Sequence, residues 1–208
     1  MKSLLIFGAG SGVGAKLLDE VERDYRITLV IRNPLTAKQL SARGFTVIEG
    51  DAADSDVVER ACLLAGAGAT IVSTMGGEAA NYRGHRLIID SAEKSGINRM
   101  LLVTSLGCGD SWPTLSERAK NAFGQSVREK SLAESWLQTS RLDYCILRPG
   151  GLKDGPATHQ AQCYQGQEVH GLVQRHDVAL IIVQKLQAET LANQIFAVID
   201  PNLEFKRG

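Results

Sequence analysis

The sequence predicts a single-domain, doubly wound α/β fold, a parallel sheet with helices on both faces. Three observations lead there. Apolar, β-branched runs alternate with helix-like patterns along the chain. The runs lack the clean period-two alternation of a half-solvated sheet, so both faces of each strand are expected to be covered. The first run, residues 3–7, leads straight into Gly8-Ala9-Gly10-Ser11-Gly12-Val13-Gly14 and then the helix-forming Ala15-Lys16-Leu17-Leu18.

The remaining elements follow in order. A second strand is expected over residues 26–31. Pro34, whose fixed φ suits a first helical turn, opens a helix that runs through Leu40 and closes at Gly44. Strand 45–48, helix 57–64, strand 69–73, a helix containing 85–92, strand 100–104, a long helix ending near Thr139 and strand 144–147 continue the pattern. Right-handed crossovers then wind the sheet in both directions. Beyond Pro149 the regularity breaks, because Gly150, Gly151, Gly155 and Pro156 cluster and polar sequence continues to Gln167. An irregular segment of that length reads as a substrate loop over about 150–170, or as a solvated excursion. A short strand over 169–173, a helix over 177–186 with Asp177 near its N-cap, and a closing strand over 195–199 complete the chain.

Composition bounds the function. With 208 residues, one domain must carry both cofactor and substrate sites. The 23 Lys and Arg balance the 23 Asp and Glu, so no global field recruits nucleic acid or an anionic membrane, and a small-molecule partner is expected. The N-terminus enters the first strand without a signal-peptide h-region, and no segment approaches the ~18 uninterrupted apolar residues of a membrane span. Cys62, Cys108, Cys145 and Cys163 stand far apart, so neither a metal site nor a disulfide scaffold is expected. A reduced, cytoplasmic protein follows, its cysteines serving as small buried hydrophobes. Cys108, in a loop near the expected site, is the one that invites a reactive reading.

Chemistry gathers at the carboxyl ends of the strands, where open parallel sheets bind ligands. The glycine turn lets backbone N–H groups approach a pyrophosphate, and the positive end of the following helix favours its charge. Gly8, Gly12 and Gly14 read as G-x-x-x-G-x-G, while Gly10, Gly12 and Ala15 fit G-x-G-x-x-A. Gly8, Gly10, Ser11, Gly12, Val13 and Gly14 are thus the expected phosphate cradle of a dinucleotide. After the second strand come Arg32 and Asn33, where an NAD site often carries an acid for the ribose 2′-hydroxyl. A guanidinium there pairs with a 2′-phosphate, which favours NADP(H) over NAD(H). Asp51 and Ala52, after Gly50, fall near the adenine. Ser73-Thr74-Met75-Gly76-Gly77 brings small residues to the cofactor's midsection, although the glycines read equally as a tight turn.

Together these residues resemble the short-chain dehydrogenase/reductase superfamily, from Lys2 to about Asp154. Gly8, Gly12 and Gly14 match its glycine spacing, and Gly50-Asp51-Ala52 resembles its adenine-contacting segment. Thr104-Ser105 stands where its catalytic serine ends the fifth strand, Lys130 lies in the following helix, and Arg148-Pro149-Gly150 ends the sixth strand. The resemblance implies a Rossmann fold, Ser105 and Lys130 as catalytic residues, and Thr104, Lys130, Pro149, Gly150 and Gly151 among the cofactor contacts. One departure is decisive for the chemistry. The superfamily's tyrosine, one turn before the lysine, is replaced by Ser126, and none of Tyr25, Tyr82, Tyr144 and Tyr164 precedes a lysine by one turn. A phenolic general acid/base is therefore not expected. Lys130 reads either as a ribose contact or as an ion-pair partner of Glu134.

The tyrosine-lacking pattern, with Arg32, Ser105 and Gln174-Arg175-His176-Asp177-Val178, is similar to small atypical NAD(P)H-binding proteins of the NmrA-like group. That group includes reductases similar to biliverdin-IXβ reductase, also called flavin reductase, and bacterial haem-utilisation enzymes acting on linear tetrapyrroles. The resemblance implies hydride transfer to a conjugated acceptor, a tetrapyrrole or flavin, with the protein supplying proximity and orientation. Ser105 would orient the acceptor or relay a proton with water. Lys153, His159, Arg118 and Lys120 read as cations for an anionic acceptor or as plain surface charges. A binding protein that senses NADP(H) without turnover is the alternative. Isomerisation of a nucleotide sugar is disfavoured by Ser126 and by the short chain. A monomer or small homo-oligomer is expected.

Overall fold

Leu4 and Ile6 of the first strand, β1 (Lys2–Phe7), face one side of the sheet, Leu5 and Phe7 the other, and all four are buried. Period-two alternation therefore feeds two cores instead of one core and solvent. On one side Leu4 and Ile6 meet Leu17 of α1 (Gly12–Val21), Leu40 of α2 (Pro34–Ala42) and Ile182 of α6 (Arg175–Gln187). On the other, Leu5 and Phe7 meet Val58 of α3 (Ser55–Ala65), Ile88 of α4 (His85–Lys94) and Leu137 of α5 (Glu117–Gln138). The computed structural model describes residues 2–76 and 80–204.

The other parallel strands are β2 (Tyr25–Ile31), β3 (Thr46–Glu49), β4 (Ala69–Ser73), β5 (Arg99–Val103), β6 (Asp143–Pro149) and, late in the chain, β10 (Gln194–Ile199). With the short β8 (Gln162–Tyr164) they form an eight-stranded sheet in the order β3-β2-β1-β4-β5-β6-β10-β8. The winding reverses between β1 and β4, which opens a crevice above their carboxyl ends. The expected fold is therefore present, with a correction at one edge. β8 runs antiparallel to β10, so the sheet is mostly rather than wholly parallel.

The segment after Pro149 is more ordered than its composition suggests. β7 (Gly151–Lys153) pairs in parallel with β9 (Leu172–Gln174) in a small second sheet. Strands of three residues are too short to leave a periodic signal. The strand expected over 169–173 is thus β9, and α6 begins at Arg175, with Gln174 rather than Asp177 at its N-cap. Asp177 is buried and does other work. Its carboxylate accepts the backbone N–H of Thr158 and of His159 at 2.9 and 2.8 Å. The Thr158 hydroxyl also lies within hydrogen-bonding distance of Asp177 and of the buried Asp200. The segment is tied at its middle to both α6 and the end of β10. No helix among the described residues is long and apolar enough to cross a membrane.

Candidate active site

The glycine turn after β1 is built for close approach. Gly8 has φ +90° and Gly12 φ +59°, conformations that cost a side-chain-bearing residue free energy. A Cβ at Gly14 would collide with the Gly8 carbonyl group and come within 2.5 Å of the Thr74 hydroxyl oxygen. Thr74 in turn donates its N–H to the Phe7 carbonyl at 2.9 Å and its hydroxyl to Gly8 O at 3.2 Å, pinning the turn to the end of β4. Gly14 thus serves turn closure and is buried rather than facing the cleft.

The N-terminus of α1 gives the fit test for an anionic cofactor. Helices α2, α3 and α5 have side-chain caps from Asn33, Asp54 and Ser116, whereas α4 and α6, like α1, have none. The N-cap of α1, Ser11, makes no side-chain cap hydrogen bond, and no acidic residue stands in the first turn. Its first-turn N–H groups lack a side-chain acceptor while Gly10, Ser11, Gly12 and Val13 line a cleft of about 460 Å³. A pyrophosphate supplies the missing acceptor and suits the positive helix end.

Along that cleft the structure brings together Gly8, Gly10, Ser11, Gly12, Val13, Arg32, Asn33, Asp51, Ala52, Thr74, Met75, Gly76, Thr104 and Lys130. Arg32 is three-quarters exposed and 3.7 Å from the Asp51 carboxylate, beside the start of α2. The Asn33 side chain is committed to Thr36 N at 3.0 Å, so it caps α2 while forming wall. Other expected residues lie elsewhere. Ser73, one strand position out of phase, is fully buried on the α3–α4 side, its hydroxyl 2.8 Å from His85 Nε2. Pro149 is buried, and its carbonyl accepts Leu106 N–H. Gly150 and Gly151 are small for packing, since a Cβ on either would strike Gly171 or Leu172 of the neighbouring strand segment. Leu152, just beyond, lines the cleft in their stead. Gly77 lies outside the described residues.

At the far end, Lys130 on α5 reaches the carbonyl of Thr104 at 3.4 Å. Burial pushes its ammonium below the ordinary lysine value, partly offset by Cys108 and Glu134. Glu134 is fully buried, and rather than pairing with Lys130 it accepts the Thr104 hydroxyl at 2.6 Å and Arg148 Nη2 at 2.7 Å. The Ser105 hydroxyl donates to Leu106 O at 3.0 Å. Cys108 is buried, its thiol pushed up to about 12 mainly by burial, so it is not a thiolate nucleophile at neutral pH. A second cavity, of about 450 Å³, opens beyond this point, bounded by Leu106, Asp110, Arg148 and the segment 164–169. Thr104 lines the first cavity and Leu106 the second, with Ser105 between them in the chain.

Two residues escaped the sequence reading. Arg175 lines the dinucleotide cleft, lies 3.8 Å from where a Cβ on Gly12 would stand, and pairs with Asp154 at 2.9 Å. Placing the last helix two residues late hid it, although the rule used for Arg32 finds it once β9 ends at Gln174. Glu134 looked like a surface partner, and only the fold shows that it faces inward.

Comparison with known proteins bears on this geometry. The NAD(P)H-binding family matches residues 8–189. The chain is similar to the structure described as ChuY, an anaerobillin reductase from Escherichia coli O157:H7, at 56% identity and TM-score 0.95, covering 98% of this chain and 99% of that one. A Bacillus subtilis protein described as an uncharacterized sugar epimerase, YhfK, is 27% identical over 94% of this chain and 92% of its own length. A Veillonella parvula short-chain dehydrogenase/reductase solved with NADP shares the fold at TM-score 0.77 and 21% identity, covering 98% and 97% of the two chains. With the uncapped α1 terminus over a glycine turn, these matches show that the chain belongs to the NAD(P)H-binding family.

Proposed function

We propose that this protein is an NADPH-dependent reductase of an extended conjugated acceptor, a linear tetrapyrrole or a flavin. The observation that carries the reading is a pair of cavities lined by near neighbours at one strand end, the dinucleotide cleft by Thr104 and Lys130 and the second cavity by Leu106, two positions after Thr104. Identity of 56% with a protein described as a reductase supports it. When bound, NADPH supplies a hydride from its nicotinamide ring, and the acceptor gains that hydride and one proton as NADP+ forms. The chain's own residues orient the partners. Ser11 and the α1 N-terminus hold the pyrophosphate, Lys130 the nicotinamide-side ribose, and Ser105 the acceptor or a proton-relaying water. The segment 150–170 forms the acceptor wall, within one domain spanning 1–208. Purified protein with NADPH and either biliverdin or FMN should show loss of nicotinamide absorbance. Cofactor binding without turnover of either acceptor would refute the reading.

Cofactor choice follows from the same residues. Arg32→Ala should weaken NADPH about tenfold or more, the scale of a lost charged hydrogen bond, with little effect on NADH. Arg175→Ala should weaken both alike, because the pyrophosphate is common to them. Titration of each variant with the two cofactors, followed by nicotinamide fluorescence, checks the contrast. Equal losses for Arg32→Ala would reject its 2′-phosphate role.

The Lys130 ammonium gives a pH signature. Its folded value lies below the ordinary 10.5, so the charged form, and the ribose bond it donates, is present at neutral pH and lost as pH rises through that lowered value. NADPH affinity should therefore decline in alkaline solution earlier than a normal lysine would dictate. Lys130→Met should start weaker and flatten the profile, as read by binding titrations across pH.

A further inference from the structure

We propose that Arg148 anchors a carboxylate of the acceptor in the second cavity, and that Asp110 is an exchangeable stand-in occupying that place meanwhile. The proposal rests on the reading of that cavity as the acceptor site. Arg148 is the penultimate residue of β6, with its side chain only 8% exposed. Glu134, with its side chain 1% exposed, holds Nε at 3.1 Å and Nη2 at 2.7 Å, which fixes the guanidinium plane and compensates its burial. The remaining Nη1 is directed to Asp110 at 2.6 Å, and both residues line the second cavity.

The two carboxylates on Arg148 are of different kinds. Glu134 is locked between strand and helix, whereas the Asp110 side chain is 89% exposed on the turn at 109–114. A solvent-screened pair of that sort contributes little stability, so an incoming acid displaces it at small cost. The exchange leaves the charge count around the guanidinium unchanged. Gly109 makes the stand-in reachable, since at φ +55° it brings the turn so close that a Cβ there would lie 2.7 Å from Arg148 Nη2. Burial alone would favour a neutral Arg148, yet Glu134 and Asp110 outweigh it and raise its value, while the Arg148 hydrogen bond lowers that of Asp110. Glu168, the other acid on the cavity wall, is paired with His170 at 2.9 Å. The recognised class is a conjugated acceptor bearing a flexible carboxylate arm.

The experiment compares biliverdin, which carries two propionates, with its dimethyl ester, and uses riboflavin as an uncharged acceptor. Binding is read by tryptophan fluorescence quenching with NADP+ present, and turnover by NADPH oxidation. Biliverdin should bind about tenfold or more tighter than the diester, the scale of a hydrogen bond between charged groups. Asp110→Ala should tighten biliverdin by about fivefold at most, the worth of an exposed ion pair, and leave the diester and riboflavin unchanged. The double variant Arg148→Gln/Glu134→Gln, which removes both buried charges together, should abolish the preference for the diacid. Equal binding of diacid and diester by the unsubstituted protein, or equal shifts for both in Asp110→Ala, would overturn the anchor. Carboxylate-dependent binding without turnover would refute the reductase reading and uphold the anchor.

Discussion

Replacing Glu134 with alanine is expected to lower unfolding free energy by about 3–5 kcal/mol, the cost of removing one partner of a buried ion pair. For a chain of this size that is a fall in Tm of about 6–20 °C. The cause is local. Arg148 would keep only the exposed Asp110 for its buried guanidinium, and the buried Thr104 hydroxyl would fall back from its 2.6 Å bond to the Leu147 carbonyl at 3.5 Å. Glu134→Gln retains the shape and an acceptor oxygen, so it should recover part of the loss. Thermal and denaturant unfolding of the two variants check this, and a loss near zero for alanine would show that the pair adds nothing. Turnover should fall in Glu134→Ala even well below its Tm, because Thr104, whose hydroxyl Glu134 accepts, lines the dinucleotide cleft.

Gly14→Ala should be nearly as damaging, for a steric reason. The added methyl would press on the Gly8 carbonyl group and on Thr74 Oγ1, and the first of these is backbone that cannot swing aside. Overpacking of that kind costs about 1–3 kcal/mol, and here it also distorts the turn that receives the pyrophosphate. NADPH and NADH affinity should both drop by more than about tenfold, since distorted backbone donors act on the part the two cofactors share. Gly10→Ala is the control for stability. Its Cβ would meet only the Thr36 methyl, at 3.6 Å, an ordinary contact. Comparable destabilisation by both substitutions would reject the steric account.

The alternation of strands and helices was legible because each strand is a buried run bounded by turn residues. The dinucleotide end was legible for a related reason, its residues being consecutive in the chain around Gly8–Gly14 or immediately following β2, β3 and β4. The cluster at the second cavity was not. It joins Arg148 from one strand to Glu134 from a helix and Asp110 from a turn, contacts separated by 14 and 38 positions. Arg148 and Glu134 look like ordinary surface charges until the topology turns them inward, and Asp110, which stays exposed, carries no signal of its own. Ser73 lies outside the cleft lining for a simpler reason, because proximity to a strand end does not say which face a side chain takes. The glycines at 150 and 151 pack against Gly171 and Leu172 outside the cleft lining, since close approach of two backbones demands the same residue as close approach of a phosphate.

The carboxylates of Asp177 and Asp200 that hold Thr158 and His159 come late in the chain. Emerging from a ribosome, the nascent polypeptide presents the whole glycine turn, Arg32 and Asp51 long before either tether exists. Most of the dinucleotide cleft is thus supplied by the first 76 residues, whereas Lys130, Leu152 and Arg175, which complete its lining, come from the later part of the chain to which the tethered segment belongs.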